Sequence, residues 1–177
     1  KLVSETKENL LEELVRILDD VKNLVSLCEV CGGITLATKQ PCSICSDSTR
    51  KFDLLCVVEE PQDIFLIENT GAFNGVYHVF GGKLSPMRGE GLSDGRLEKL
   101  MARLKSGKYK EVLLAMNTDV ESDATAQFLT GIIEKEGIVI SRPAMGIPAG
   151  SGIAYTDSVT LANALRLRQY VRGNFKE

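Results

Sequence analysis

Between residues 8 and 27, ENLLEELVRILDDVKNLVSL, apolar side chains recur every three or four positions. Leu11, Leu14, Leu18, Val21 and Val25 fall on one stripe of a helix, and charges fill the other faces. The stripe predicts a helix packed on neighbouring elements. The segment holds too few heptads to sustain a coiled coil.

The period changes at residue 53. Asp53–Val58 is an apolar run of the kind found in a strand buried on both faces of a parallel sheet. Pro61 suits the first turn of a helix that reaches about Asn69, with Gly71 just past its end. Gly75–Phe80 reads as a second strand, and Gly81–Gly95 as a long glycine-rich loop. Arg96–Lys105 is helical, with Leu97, Leu100, Met101 and Leu104 on one face. Glu111–Met116 is a third strand, Glu121–Glu136 a helix stopped by Gly137, and Ile138–Ser141 a fourth strand. The loop MGIPAGSGIAY leads to a last helix from about Asp157. Strands alternating with helices predict an α/β fold, a small parallel sheet flanked by helices on both faces.

Residues 28–45 carry neither period. Cys28 and Cys31, then Cys42 and Cys45, form two C-x-x-C pairs separated by ten residues. Each pair reads as a knuckle that aims two sulfurs at one point, and two knuckles supply the four thiolates of a closed, structural Zn²⁺ site. Gly32-Gly33 frees the turn after the first knuckle, and Pro41 restricts entry to the second. The segment is too short and polar to build a core. Structural zinc contributes roughly 10–16 kcal/mol to such modules. Residues 46–51, SDSTRK, read as a polar linker. The expected organisation is an N-terminal helical segment over 1–27, a zinc module and linker over 28–51, an α/β domain over 52–145, and a C-terminal loop and helix over 146–177.

Composition narrows the function classes. A chain of 177 residues with 44% apolar content supports one ordinary core plus a small module. No apolar run approaches a membrane span, and the opening KLVSETKENLLEE is not a signal peptide. Four cysteines spaced as ligands point to a reducing, cytoplasmic setting. The net charge of −3 gives no global attraction to nucleic acid. Any DNA contact falls to a local patch, for which Lys39, Arg50 and Lys51 around the cysteine module are the candidates. Arg166, Arg168, Arg172 and Lys176 read as a solvated helix face, with an assembly or DNA contact as the alternative. Cys56 lies within a core strand, and His78, the only histidine, reads as a packed strand residue.

Function in such sheets sits at the carboxyl ends of the strands. The first strand ends in Glu59 and Glu60, and the third in Asn117, Asp119, Glu121 and Asp123. If the two strands are neighbours, these groups meet. A carboxylate cluster of this kind can hold Mg²⁺ and support phosphoryl transfer. Glu121 and Asp123 also fit the first turn of a helix, where carboxylates are favoured without any ligand.

The four cysteines, followed by VVEEP, YHVFGGKLSPMRGEG, NTDVESDATA and GIPAGSGIAYTD, resemble the bacterial RecR family of recombination mediators over roughly residues 20–170. The second part is similar to the Toprim domain shared with primases and type IA topoisomerases. The resemblance implies a zinc-binding, homo-oligomeric protein of DNA repair that binds DNA and the partners RecO and RecF. Active Toprim enzymes carry a glutamate after the first strand and an Asp-x-Asp pair after the third. Glu59 matches the glutamate and Asp119 the second aspartate, whereas Asn117 replaces the first. The resemblance therefore implies a non-catalytic domain with at most weak Mg²⁺ binding, whose acids serve recognition of RecO. The alternatives are a Mg-dependent Toprim nuclease or topoisomerase-like enzyme, for which no tyrosine is clearly placed for strand transfer, and a zinc-stapled interaction module with no DNA role. The family also implies an N-terminal helix-hairpin-helix. No G-x-G hairpin precedes Leu10, so the chain reads as truncated or lacking that module, and is expected to form dimers and to bind DNA weakly.

Overall fold

The computed structural model describes residues 5–83 and 95–169. Most of the loop Gly81–Gly95, and Arg172 and Lys176 of the basic tail, lie outside the described residues. The chain divides into two compact units, Lys1–Ser141 and Arg142–Glu177.

The first unit opens with α1, Glu5–Leu24, followed by an antiparallel ribbon of β1, Val25–Leu27, and β2, Ile34–Leu36. The helix therefore ends before Val25. Val25-Ser26-Leu27 satisfies a two-residue period as well as a helical one, and backbone pairing with β2 decides for the strand. The expected packing of the helix is not found. Leu11, Leu14, Leu18 and Val21 remain about half exposed, because no described element reaches their stripe. A short helix α2, Ser43–Ser46, carries Cys45, and Cys42 stands at its N-cap.

The sheet is the predicted one. β3, Lys51–Val58, β4, Gly75–Val79, β5, Glu111–Ala115, and β6, Val139–Ser141, are all parallel and run in the order β4-β3-β5-β6. Between them lie α3, Pro61–Glu68, α4, Arg96–Leu104, and α5, Val120–Ile133. A 3₁₀ turn over Glu134–Glu136 extends α5, and Gly137, at φ 72°, ends it. β3 is central, and its run from Leu55 to Val58 is fully buried, as strands covered on both faces require.

Alternate residues of β3 feed two cores. Leu55 and Val57 face Leu100 and Leu104 of α4 and Ala126, Leu129 and Ile133 of α5. Cys56 and Val58 face Ile64 of α3 and the module cysteines Cys28, Cys31 and Cys42. The cysteine module thus covers one face of the sheet together with α3. It also closes the outer edge of β4. The Val79 N–H donates to the Cys31 carbonyl at 2.7 Å, and Arg103 Nη1 of α4 bonds both the Tyr77 and the Val30 carbonyls. Edge strands need such covering to avoid pairing with foreign chains. Gly32, at φ 78°, makes the approach possible, since a Cβ there would lie 3.0 Å from Val79 Cβ.

The second unit contains the loop and α6, Ser158–Arg166, capped by Asp157, whose carboxylate accepts from the Val159 and Thr160 N–H groups. No described helix is long and apolar enough to cross a membrane.

Candidate functional site

The two knuckles converge as their spacing predicts. The ligand atoms of Cys28, Cys31, Cys42 and Cys45 all lie within 4.8 Å of one another. Cys31 and Cys42 sulfurs are 3.7 Å apart, and Cys28 and Cys45 sulfurs 4.0 Å. Tetrahedral zinc with bonds of about 2.3 Å separates its sulfurs by about 3.8 Å, so the cluster has the size of a four-thiolate site. Backbone groups orient it. The Gly33 N–H donates to Cys31 Sγ at 3.3 Å, and the Cys42 N–H to Cys28 Sγ at 3.4 Å. Cys45, and then the Gly33 N–H, hold the Cys31 thiol well below its usual range, whereas burial raises Cys42, and the bond to Cys31 together with burial raises Cys45, so that without a metal the negative charge of the cluster settles on Cys31. The donor set fits a metal such as zinc. His78, by contrast, is buried among packed side chains, its Nδ1 without a partner among the described residues.

The acidic residues behave less uniformly. Pairing of Val58 with Ala115 brings the ends of β3 and β5 together. Glu59 is 2% exposed. The backbone N–H of Asn117 donates to its Oε1 and the side-chain amide of Asn117 to its Oε2, both at 2.8 Å. Asp119 caps α5, accepting from the Ser122 N–H at 3.0 Å and the Ser122 hydroxyl at 2.8 Å. The ammonium of Lys83 lies 2.5 Å from Asp119 Oδ2 and 4.0 Å from Glu59 Oε2. That ammonium, ahead of the Ser122 donors, holds the Asp119 carboxyl well below the usual carboxylate range. Glu60, Glu121 and Asp123 belong to the helix starts beside this centre, and the Glu121 charge acts on Lys83. Glu60 caps α3 through a reciprocal bond with Asp63, while Glu121 and Asp123 occupy the first turn of α5. Glu60 and Glu121 are exposed.

Lys83 is the residue that the sequence reading passed over. Its signal was positional. β4 neighbours β3, so the residues just past β4 must lie beside the end of β3, where Glu59 stands.

The basic candidates differ in how far they are engaged by the fold. Lys39 and Lys51 are exposed. Arg50 is committed within the fold. Its guanidinium clasps both carboxylate oxygens of Glu68 and bonds the Gly75 carbonyl, and Glu68 in turn accepts from the Tyr77 hydroxyl at 2.6 Å. Arg166 and Arg168 are exposed on the second unit.

A parallel β4-β3-β5-β6 sheet, with a glutamate ending its central strand and an Asn-x-Asp segment ending the next, defines a Toprim-type protein, here bearing a four-cysteine module on one face. Comparison with known families agrees. The Toprim domain family matches residues 53–144, and the family described as RecR, C-terminal, matches residues 146–169. The chain is 45% identical over 157 residues to "Recombination protein RecR" of Desulfatibacillum aliphaticivorans, covering 89% of this chain and 78% of that one. It is 46% identical over 156 residues to the protein of the same name from Desulfosudis oleivorans, covering 88% and 77%. To that of Clostridium perfringens it is 41% identical over 160 residues, covering 90% and 79%. The chain belongs to the RecR family of recombination proteins.

Proposed function

We propose that this chain is a non-catalytic recombination mediator. In this reading it binds DNA and the partners RecO and RecF during recombinational repair, and a structural Zn²⁺ on Cys28, Cys31, Cys42 and Cys45 holds its module on the Toprim sheet. Family membership supports the recombination role. The non-catalytic assignment rests on one observation: both oxygens of the buried Glu59 carboxylate accept hydrogen bonds from Asn117. Metal-assisted phosphoryl transfer needs carboxylates whose lone pairs and charge are free for the ion.

Recognition then falls to the exposed acids. Glu59 is too buried to meet a partner, so Glu60 and Glu121 carry the proposed contact with a basic surface of RecO. Such a contact is steered by charge and weakens with salt. The half-exposed stripe of α1 supports self-association, and we assign the chain a dimer. With Arg50 engaged by Glu68, Lys39 and Lys51 remain as phosphate contacts near the module. Two contacts give weak DNA binding, with a slope of about −2 in log K against log salt.

The experiment is a binding titration of purified protein against RecO, paired with the variant Glu60→Lys/Glu121→Lys. Lost affinity with an unchanged circular dichroism spectrum is the expected result. No RecO binding by the unaltered chain in low salt would contradict the proposal.

A further inference from the structure

The carboxyl end of the sheet holds a cation of the chain's own. Gly81 and Gly82 follow β4 with φ of 86° and 109°. Both N–H groups donate to the Glu59 carbonyl, at 2.9 and 3.0 Å. Side chains rarely adopt such backbone angles, so the glycine pair is what lets the chain fold back over the end of β3. The next residue on that turn is Lys83. Its ammonium reaches Asp119 and stands 4.0 Å from Glu59.

A Toprim carboxylate set implies a divalent cation between these acids. The residues present do not fit one. Glu59 Oε1 and Oε2 accept from Asn117, Asp119 Oδ1 accepts from the Ser122 N–H, and Asp119 Oδ2 accepts from the Ser122 hydroxyl and from Lys83. Each of the four carboxylate oxygens already accepts at least one hydrogen bond from the chain's own donors, and Asp119 Oδ2 accepts two. Glu59 and Asp119 carry two formal negative charges, and Lys83 returns one. A hard divalent ion asks for several free oxygens and for carboxylate charge at the same point.

We infer that Lys83 takes the place of the divalent cation in this Toprim domain, as a tethered positioning residue that links Asp119 to Glu59 and pins the turn after β4 to the end of β3. The inference rests on the Toprim assignment, and not on any partner. A metal titration therefore reads it independently. Loss of RecO binding with metal still excluded sinks only the mediator proposal, and Mn²⁺ affinity indifferent to Lys83, with RecO binding intact and supercoiled plasmid left uncut, sinks only this one.

The test uses the full chain with Mn²⁺ as probe, read by the electron paramagnetic resonance of free Mn²⁺. Five proteins are compared: unaltered, Lys83→Met, Lys83→Arg, Lys83→Met/Asn117→Asp and Glu59→Gln. The unaltered chain and Lys83→Arg are expected to leave Mn²⁺ free up to millimolar concentration. Lys83→Met should bind at least about tenfold more tightly than the unaltered chain, and the double variant more tightly still, because each change frees oxygens or restores charge. Lys83 is 30% exposed and Met keeps its apolar stem, so folding is expected to survive. Lys83→Arg carries the test in either event, since a retained cation must keep Mn²⁺ out. Two results overturn the inference. One is Mn²⁺ bound by the unaltered chain and lost in Glu59→Gln. The other is equal Mn²⁺ affinity in Lys83→Met, Lys83→Arg and the unaltered chain.

Discussion

Asn117 grips Glu59 with both of its donors, the backbone N–H on Oε1 and the side-chain amide on Oε2, each at 2.8 Å. One residue thereby ties the end of β5 to the end of β3 and engages both oxygens of the buried carboxylate. At the position where the Toprim resemblance leads one to expect an aspartate, Asn117 makes a structural bond instead.

It follows that Asn117→Asp does not simply restore an enzyme. Aspartate loses the amide donor and sets a second carboxylate against a buried one. Stability at neutral pH should fall by about 1–3 kcal/mol, the usual cost of an unsatisfied or like-charged buried group. Urea unfolding at pH 7 reads this directly. A midpoint equal to that of the unaltered chain would show that the Asn117 side chain carries none of the junction.

Metal removal should loosen more than the module. Val79 and the Cys31 carbonyl are joined across the edge of β4, and Arg103 spans the Tyr77 and Val30 carbonyls. Cys42→Ser, or chelation, should therefore release amide protection at Gly32 and Gly33 and also at Val79, while Leu114 on β5 stays protected. Hydrogen exchange of the two forms is the measurement. Protection at Val79 that survives loss of the metal would separate the module from the sheet edge.

Gly32 is a single-residue check of the same junction. Its φ of 78° disfavours any side chain, and a Cβ would meet Val79 Cβ at 3.0 Å. Gly32→Ala should cost on the order of 1–3 kcal/mol through backbone strain and crowding. The loss should appear as a lower midpoint of thermal unfolding.

Acid should weaken the fold through His78. Burial, and then the charges of Arg103 and Lys99, lower its pKa to about 4 from an ordinary 6.5. Below pH 6.5 the unfolded chain takes up a proton that the folded chain refuses. Stability is thus complete above pH 6.5 and is lost as the pH falls towards 4, by up to roughly 3 kcal/mol. His78→Leu should flatten this part of the stability profile. An unchanged slope between pH 6.5 and 4 would place the acid sensitivity elsewhere.

Much of this was legible in the chain itself. The C-x-x-C pairs fix four sulfurs by spacing alone, and Leu55 to Val58 announce a strand buried on both faces. Asp157 reads as a helix start because short-range chemistry makes it so. What escaped was relational. The α1 stripe reports an apolar face but not what covers it. Arg50 looks like a free cation in a polar linker until Glu68, eighteen residues on, is brought against it. Lys83 meets Asp119 across thirty-six residues, and only strand order puts them side by side.

The most direct measurement is a nicking assay on supercoiled plasmid with zinc-loaded protein, in Mg²⁺ and in Mn²⁺. A Toprim sheet whose Glu59 is held by Asn117 should leave the plasmid intact at every protein concentration in both metals. Metal-dependent nicking that disappears in Glu59→Gln would show a working catalytic site, and would contradict the account.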